Sequence, residues 1–122
     1  MNIILNAAVG AVDPKFSGLC VFKDSQRMHA ANEEARARLM MIGGKYNVGL
    51  MKWTFPSGAG IQLGFADPSR YRGMIFDDIE LDACVEPHPV YAFIKRPVYA
   101  FAKKKQSEYA FAKRRQRETE SS

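Results

Sequence analysis

Apolar residues recur at helical spacing in one stretch of the sequence, which predicts its longest helix. The intervals are three and four positions, at Met28, Ala31, Ala35, Leu39 and Ile42. This spacing gives an amphipathic helix one buried face. Asp24 or Ser25 provides an N-cap in front of it, and Gly43-Gly44 provides a glycine stop behind it. The two glycines end a helix and do not begin one, so we do not interpret them as a phosphate-binding loop.

Short apolar blocks bounded by turn residues predict the strands. Gly18–Phe22 is a compact β-prone run. Gly49–Phe55 and Gly60–Phe65 are extended runs on either side of Pro56-Ser57-Gly58-Ala59, a hairpin signature because proline fixes φ and glycine allows positive φ. A further strand is expected from the apolar residues between 74 and 81, ending at Asp82.

The opening residues, Met1–Val9, are apolar and end before a turn signal at Asp13-Pro14. We interpret them as the end of a helix that starts outside the chain. The full length of 122 residues predicts one domain, and no apolar run is long enough for a transmembrane helix. The two cysteines, Cys20 and Cys84, exclude a disulfide framework and indicate a reducing compartment.

Charge divides the chain into two segments. The net charge is +5, but residues 1–89 hold 9 basic and 10 acidic side chains, whereas residues 90–122 hold 9 basic and 3 acidic ones. We therefore predict a core over 1–89 and a basic tail over 90–122. The tail repeats the tripeptide Tyr-Ala-Phe three times, beginning at Tyr91, Tyr99 and Tyr109.

The conformation of the tail has two interpretations. An extended chain would place the repeated aromatics on one face, because their offsets are even. The helix-forming composition of residues 100–120 favours instead a helix from about Val98, with Pro97 at its first position.

The tail is also the strongest compositional signal for nucleic-acid binding. Its cations neutralise phosphates and its aromatic rings stack on exposed bases. The predicted binding residues are Lys103, Lys104, Lys105, Lys113, Arg114, Arg115, Tyr99 and Tyr109. An anionic surface of a partner protein would suit the same residues, and a solvated extension without a partner is the plain alternative.

A cluster of acidic residues surrounds the last predicted strand: Asp77, Asp78, Glu80 and Asp82. Alternation puts Asp78, Glu80 and Asp82 on one face and leaves Ile79 and Leu81 on the other. Carboxylates of this kind can hold Mg²⁺. The alternative is a solvated sheet edge, which we favour on this pattern alone.

Several of these segments together resemble the large terminase subunit of tailed bacteriophages. They are the stretch Trp53–Gly64 with its Phe-Pro-Ser-Gly-Ala turn, Arg70-Tyr71-Arg72-Gly73, and the strand ending at Asp82. The resemblance covers about residues 5–83. It implies a partial P-loop-ATPase-like α/β core made of a strand, an amphipathic helix, a β-hairpin and a Walker-B-like strand. Proteins of that family are ATP-driven DNA-packaging motors.

The sequence departs from the family where catalysis would take place. No Walker A motif is present. Asp82 matches the magnesium-binding Walker B aspartate, but Ala83 stands where the family carries its catalytic glutamate. An alanine cannot orient or deprotonate the attacking water. We therefore expect no enzyme activity and no cofactor, apart from Mg²⁺ at a vestigial Asp82.

Three functions follow, in order of preference. The first is a catalytically inactive terminase-like phage protein that binds DNA, a packaging-motor component or a host factor in the bacterial cytoplasm. The second is a small basic nucleic-acid-binding accessory protein, or an inhibitor of a host protein. The third is an active enzyme that uses the acidic cluster with a metal. A partial core with exposed strand edges also predicts an oligomer or a complex.

Overall fold

A computed structural model describes residues 1–96 of the chain. The helices are α1 (Ile3–Ala8), α2 (Ser25–Met41) and α3 (Pro89–Ile94), and two 3₁₀ turns span Val9–Val12 and Pro68–Tyr71. The strands are β1 (Ser17–Phe22), β2 (Lys45–Asn47), β3 (Lys52–Thr54), β4 (Gly60–Phe65) and β5 (Asp78–Leu81). The α/β class is therefore confirmed, as a mixed arrangement of strands and helices. The helix predicted from Val98 lies outside the described residues.

The five strands form one mixed sheet in the order β2-β3-β4-β1-β5. β1 runs parallel to both β4 and β5, whereas β2, β3 and β4 pair antiparallel in sequence order. Because β1 and β5 are parallel neighbours, their carboxyl ends reach the same edge of the sheet. Asp82 follows β5 at that edge.

The predicted long helix and both of its ends are confirmed. The Asp24 side chain accepts a hydrogen bond from the Arg27 amide at 2.9 Å, which caps the first turn. At the other end Gly43 has a φ of +85°, and the Gly44 amide donates to the Leu39 carbonyl at 2.8 Å.

The predicted buried face of α2 is wrong at its last position. Ile42 lies beyond the helix and is 53% exposed. A polar residue that the apolar pattern passes over, Asn32, is buried instead. Its side-chain oxygen accepts a hydrogen bond from the Trp53 indole nitrogen at 2.7 Å, which offsets the cost of burying the amide.

The predicted hairpin is present as β3 and β4, although its first strand is shorter than expected. The Phe55 amide donates to the Ala59 carbonyl at 3.0 Å, and Gly58 has a φ of +98° in the turn between them. An additional strand, β2, pairs with β3 at the edge of the sheet. β2 has only three residues, one aromatic residue between two polar ones, and this alternation is too short to predict a strand.

The first helix begins inside the chain, so the interpretation of Met1–Val9 as the end of a longer helix is wrong. Asn2 caps α1 because its side-chain oxygen accepts from the Ile4 amide at 2.9 Å. The Asn2 amide group also donates to the Ala31 carbonyl at 2.8 Å, which fastens α1 to α2.

The two faces of the sheet bury separate apolar clusters. Helices α1 and α2 pack on one face, where Phe22, Leu39 and Trp53 are fully buried. On the other face, α3 and the turn at Pro68–Tyr71 cover β1 and β5. Among residues 1–96, no helix has both the length and the apolar character needed to cross a membrane.

Helix α3 contains the first copy of the Tyr-Ala-Phe repeat, so this copy is helical and not extended. Tyr91 and Ile94 are buried against the sheet, whereas Phe93 is 86% exposed. Directly after the helix, Lys95 forms a parallel bridge with Phe76, in which the Arg96 amide donates to the Phe76 carbonyl at 2.7 Å. The beginning of the predicted tail is thus packed on the core.

Candidate functional site at the carboxyl edge of the sheet

The Asp82 side chain forms an ion pair with Arg27. Asp82 follows the last residue of β5, and Arg27 lies in the first turn of α2. The guanidinium Nε donates a hydrogen bond to carboxylate Oδ2. The Asp82 side chain is 14% exposed and that of Arg27 is 42% exposed, so the pair lies at the surface with its acidic partner mostly covered.

A cavity of about 570 Å³ opens beside this pair. Its polar lining contains basic and acidic side chains, namely Lys23, Asp24, Arg27, Glu34 and Asp82. Cys84 lies at its margin and is exposed. The position agrees with a general property of α/β sheets, which hold ligands outside the carboxyl ends of parallel strands.

The ion pair determines the charge state of Asp82 in the cavity. The hydrogen bond from the Arg27 guanidinium lowers the pKa of the Asp82 carboxyl below its usual value. Asp82 is therefore ionised at neutral pH but already holds a cation. A magnesium ion at this carboxylate would have to compete with a hydrogen-bonded guanidinium.

The other carboxylates of the acidic cluster do not share the environment of Asp82. Ile79 and Leu81 are half-buried and pack against the apolar cluster under α3, while the neighbouring carboxylates of Asp78 and Glu80 repel each other. Burial and the neighbouring Asp78 raise the pKa of the Glu80 carboxyl. Within residues 1–96, no three His, Cys, Asp or Glu side chains come together as a group that could hold a metal ion.

Asp77 has a structural role in the same strand region. Its Oδ2 accepts a hydrogen bond from the Ser17 amide at 2.8 Å, and its Oδ1 lies 3.1 Å from the Arg96 guanidinium. Lys95 approaches Asp78 at 3.9 Å. The first basic pair of the repeat is therefore paired with acidic residues of the core.

The predicted nucleic-acid-binding residues lie outside the described residues: Tyr99, Lys103, Lys104, Lys105, Tyr109, Lys113, Arg114 and Arg115. The acidic cluster, including Asp82, is the part of the predicted site that lies within the described residues. Sequence reasoning did not identify Arg27 as the partner of Asp82. The two residues are 55 positions apart, and Arg27 has the ordinary appearance of a solvated helix residue.

Comparisons with protein-family models, with curated proteins and with solved structures found no match for this chain. The site is therefore interpreted from its own geometry and chemistry.

Proposed function

We propose that this chain is a catalytically inactive, terminase-like phage protein that acts by binding and does not hydrolyse ATP. The observation that carries the proposal is the Arg27–Asp82 ion pair, followed in sequence by Ala83. Its partner is DNA, a packaging-motor component or a host factor in the bacterial cytoplasm. Of these, the charge of the chain favours DNA.

Two features support the terminase-like part of the proposal. β1 and β5 are parallel neighbours, so Asp82 lies at the edge of the sheet where a Walker B aspartate would act. The hairpin of β3 and β4 encloses the Phe-Pro-Ser-Gly-Ala turn on which the resemblance mainly depends. A P-loop-like core is consistent with this arrangement.

The chemistry around Asp82 supports binding over catalysis. Phosphoryl transfer needs a metal that neutralises phosphate charge and a residue that orients the attacking water. Here the Asp82 carboxylate is occupied by Arg27, and the next side chain is a methyl group. The sequence also lacks the glycine-rich loop and lysine that cradle a nucleotide's phosphates.

The distribution of charge supports an anionic partner held by the tail. Residues 1–96 carry 11 basic and 10 acidic side chains, whereas residues 97–122 carry 7 basic and 3 acidic ones. Lys95 and Arg96 are already paired with acidic residues of β5 and its flank. The cations at 103–105 and 113–115, with Tyr99 and Tyr109, are therefore the residues we assign to DNA.

Phosphate release from ATP and Mg²⁺ by the purified chain tests the catalytic half of the proposal. We expect no release above buffer, and the same result for Asp82→Asn. Release that disappears in Asp82→Asn would overturn the proposal, because the carboxylate would then be working as a Walker B residue.

Binding of a fluorescent single-stranded oligonucleotide tests the other half. The triple substitution K103Q/K104Q/K105Q should weaken binding strongly. A matched control, K15Q/R38Q/R70Q, removes the same charge from exposed positions of the core and should weaken it much less. Equal losses in the two variants would show that net charge alone, and not the tail, governs binding.

A further inference from the structure

A second surface of the molecule exposes large apolar side chains near the end of α2. Met40 is 56% exposed and Val48, in the turn after β2, is 77% exposed. Both line a shallow cavity of about 270 Å³. We refer to Met40, Val48 and the other lining residues Arg36, Gly44, Lys45, Tyr46 and Trp53 as the α2-end patch.

The aromatic residues of the patch belong to the rigid part of the fold. The rings of Tyr46 and Trp53 lie 5.1 Å apart across the β2–β3 pair. Trp53 is fully buried, and its indole nitrogen is bound to Asn32. The cavity is therefore preformed, whereas the thioether of Met40 can adapt to an incoming side chain.

The rim of the patch is cationic. Arg36 and Lys45 line the cavity, and Lys45 is exposed on the edge strand β2. Arg36 has a carboxylate 3.6 Å away on Glu33, but both of these side chains are more than half exposed, so the pair is weak. Residues 35–66 contain four basic side chains and not one acidic side chain.

From this combination we infer that the α2-end patch binds an acidic peptide segment of another protein, with an aromatic or large aliphatic anchor in the cavity. Apolar anchors surrounded by complementary charge are the usual composition of a peptide-binding surface. The chain's own residues 97–122 carry a net charge of +4 and would be repelled by the rim. Nucleic acid is a poorer fit, because the most exposed apolar side chains are the aliphatic Met40 and Val48, whereas the Trp53 ring is buried.

The inference is tested with the full chain carrying K103Q/K104Q/K105Q, so that the tail cations assigned to DNA do not dominate the binding of acidic polymers, and with three soluble probes. The probes are a random copolymer of glutamate and tyrosine, polyglutamate of similar length, and oligothymidylate. The variant is M40Q/V48Q, which changes exposed positions and is not expected to disturb folding. The matched control is V9Q/V12Q. Val9 and Val12 lie in the 3₁₀ turn that follows α1, and both side chains are highly exposed.

We expect M40Q/V48Q to weaken binding of the glutamate–tyrosine copolymer about tenfold, while V9Q/V12Q leaves it unchanged. Binding of polyglutamate, which has no anchor, should be the same in all three proteins. The charge variant R36Q/K45Q should also weaken binding of the copolymer. An unchanged copolymer affinity in M40Q/V48Q, or an equal loss in the control, would overturn the inference.

Two further outcomes would also contradict it. If M40Q/V48Q weakened binding of oligothymidylate and not binding of the copolymer, the patch would be a nucleic-acid-binding surface. If it abolished a concentration-dependent self-association of the chain, the occupant would be a second copy. Neither outcome would affect the proposed function, which is tested by phosphate release and by the lysines of the tail.

Discussion

The guanidinium of Arg27 holds the carboxylate of Asp82 across the carboxyl edge of the sheet. The contact joins the first turn of α2 to the end of β5, two elements that come together only in the folded chain. It gives a charged edge residue a structural partner. A magnesium ion at this carboxylate would have to displace the guanidinium.

Replacing Arg27 with glutamine should change the acid sensitivity of the fold. Because Arg27 lowers the pKa of Asp82, the ion pair stabilises the folded state above the usual carboxyl pKa, and this stabilisation is lost as the pH falls through the lowered value. The variant should therefore be less stable than the parent at pH 7, and the stabilities of the two proteins should become similar in acid. Urea unfolding at pH 7 and pH 3 measures this.

The control for that experiment is Arg36→Gln, which breaks a pair in which both side chains are more than half exposed. It should change stability little at either pH. A deficit in Arg27→Gln that is equally large at both pH values would show that the side chain stabilises the fold by packing and not by its charge.

Substituting Glu80 should have the opposite effect on the stability of the fold at neutral pH. Burial and Asp78 raise the pKa of Glu80, so its contribution to stability is complete below the usual glutamate pKa and is lost as the pH rises through the raised value. Glu80→Gln removes this charge and should raise the free energy of unfolding at pH 7.5. The gain should disappear near pH 4, where the parent carboxyl is protonated.

The exposed Glu86 provides the comparison for Glu80. Thermal unfolding of Glu86→Gln should match the parent at both pH values. A stabilisation by Glu80→Gln that persisted in acid would contradict the electrostatic explanation.

Gly64 is required by the approach of Tyr71. A Cβ at position 64 would lie 2.2 Å from the Tyr71 hydroxyl, which is buried and donates to the Phe65 carbonyl at 2.6 Å. Burial raises the pKa of Tyr71 to about 12, so the hydroxyl remains a donor throughout the physiological range. Gly64→Ala should cost about 1–3 kcal/mol of stability, measured by denaturant unfolding.

A double substitution isolates this clash. Tyr71→Phe removes the hydroxyl oxygen, so Gly64→Ala should cost less in that background than in the parent. Gly49→Ala, whose Cβ would meet nothing closer than 3.5 Å, should be nearly neutral. Strictly additive losses for positions 64 and 71 would show that the two side chains do not compete for the same space.

Helix α3 should be an integral part of the folded core. Ile94 is 3% exposed and packs in the cluster beneath α3, so Ile94→Ala should destabilise the chain by about 2–4 kcal/mol. Phe93→Ala on the same helix removes a larger ring that is almost fully exposed and should cost far less. Equal losses at the two positions, measured by thermal unfolding, would mean that α3 does not hold this orientation.

The elements that could be predicted are those set by local sequence. The apolar period, the Asp24 cap and the glycine pair define α2, and the Pro-Ser-Gly-Ala turn defines the hairpin. In each case the residues that determine the conformation lie within the element or directly beside it in the sequence. The alternation also places Ile79 and Leu81 on the face that packs against the apolar cluster under α3, although both side chains are only half-buried.

The parts that could not be predicted depend on distant partners. Pro89 begins α3 as a first-turn proline, but six residues of helix are stable here because Tyr91 and Ile94 meet an apolar cluster on the sheet. The ion pair of Arg27 and Asp82 likewise requires the strand order, which no local pattern specifies. Because these contacts determine the chemistry of the candidate site, that chemistry could not be predicted from the sequence alone.

The salt dependence of oligonucleotide binding tests the central claim most directly. A plot of the logarithm of the association constant against the logarithm of salt concentration should be linear for the full chain and steep. K103Q/K104Q/K105Q should reduce the magnitude of the slope by about 2, since each phosphate contact on a single strand contributes about 0.7. A slope that is the same in the parent and the triple variant would contradict the claim that this chain binds nucleic acid through its basic tail.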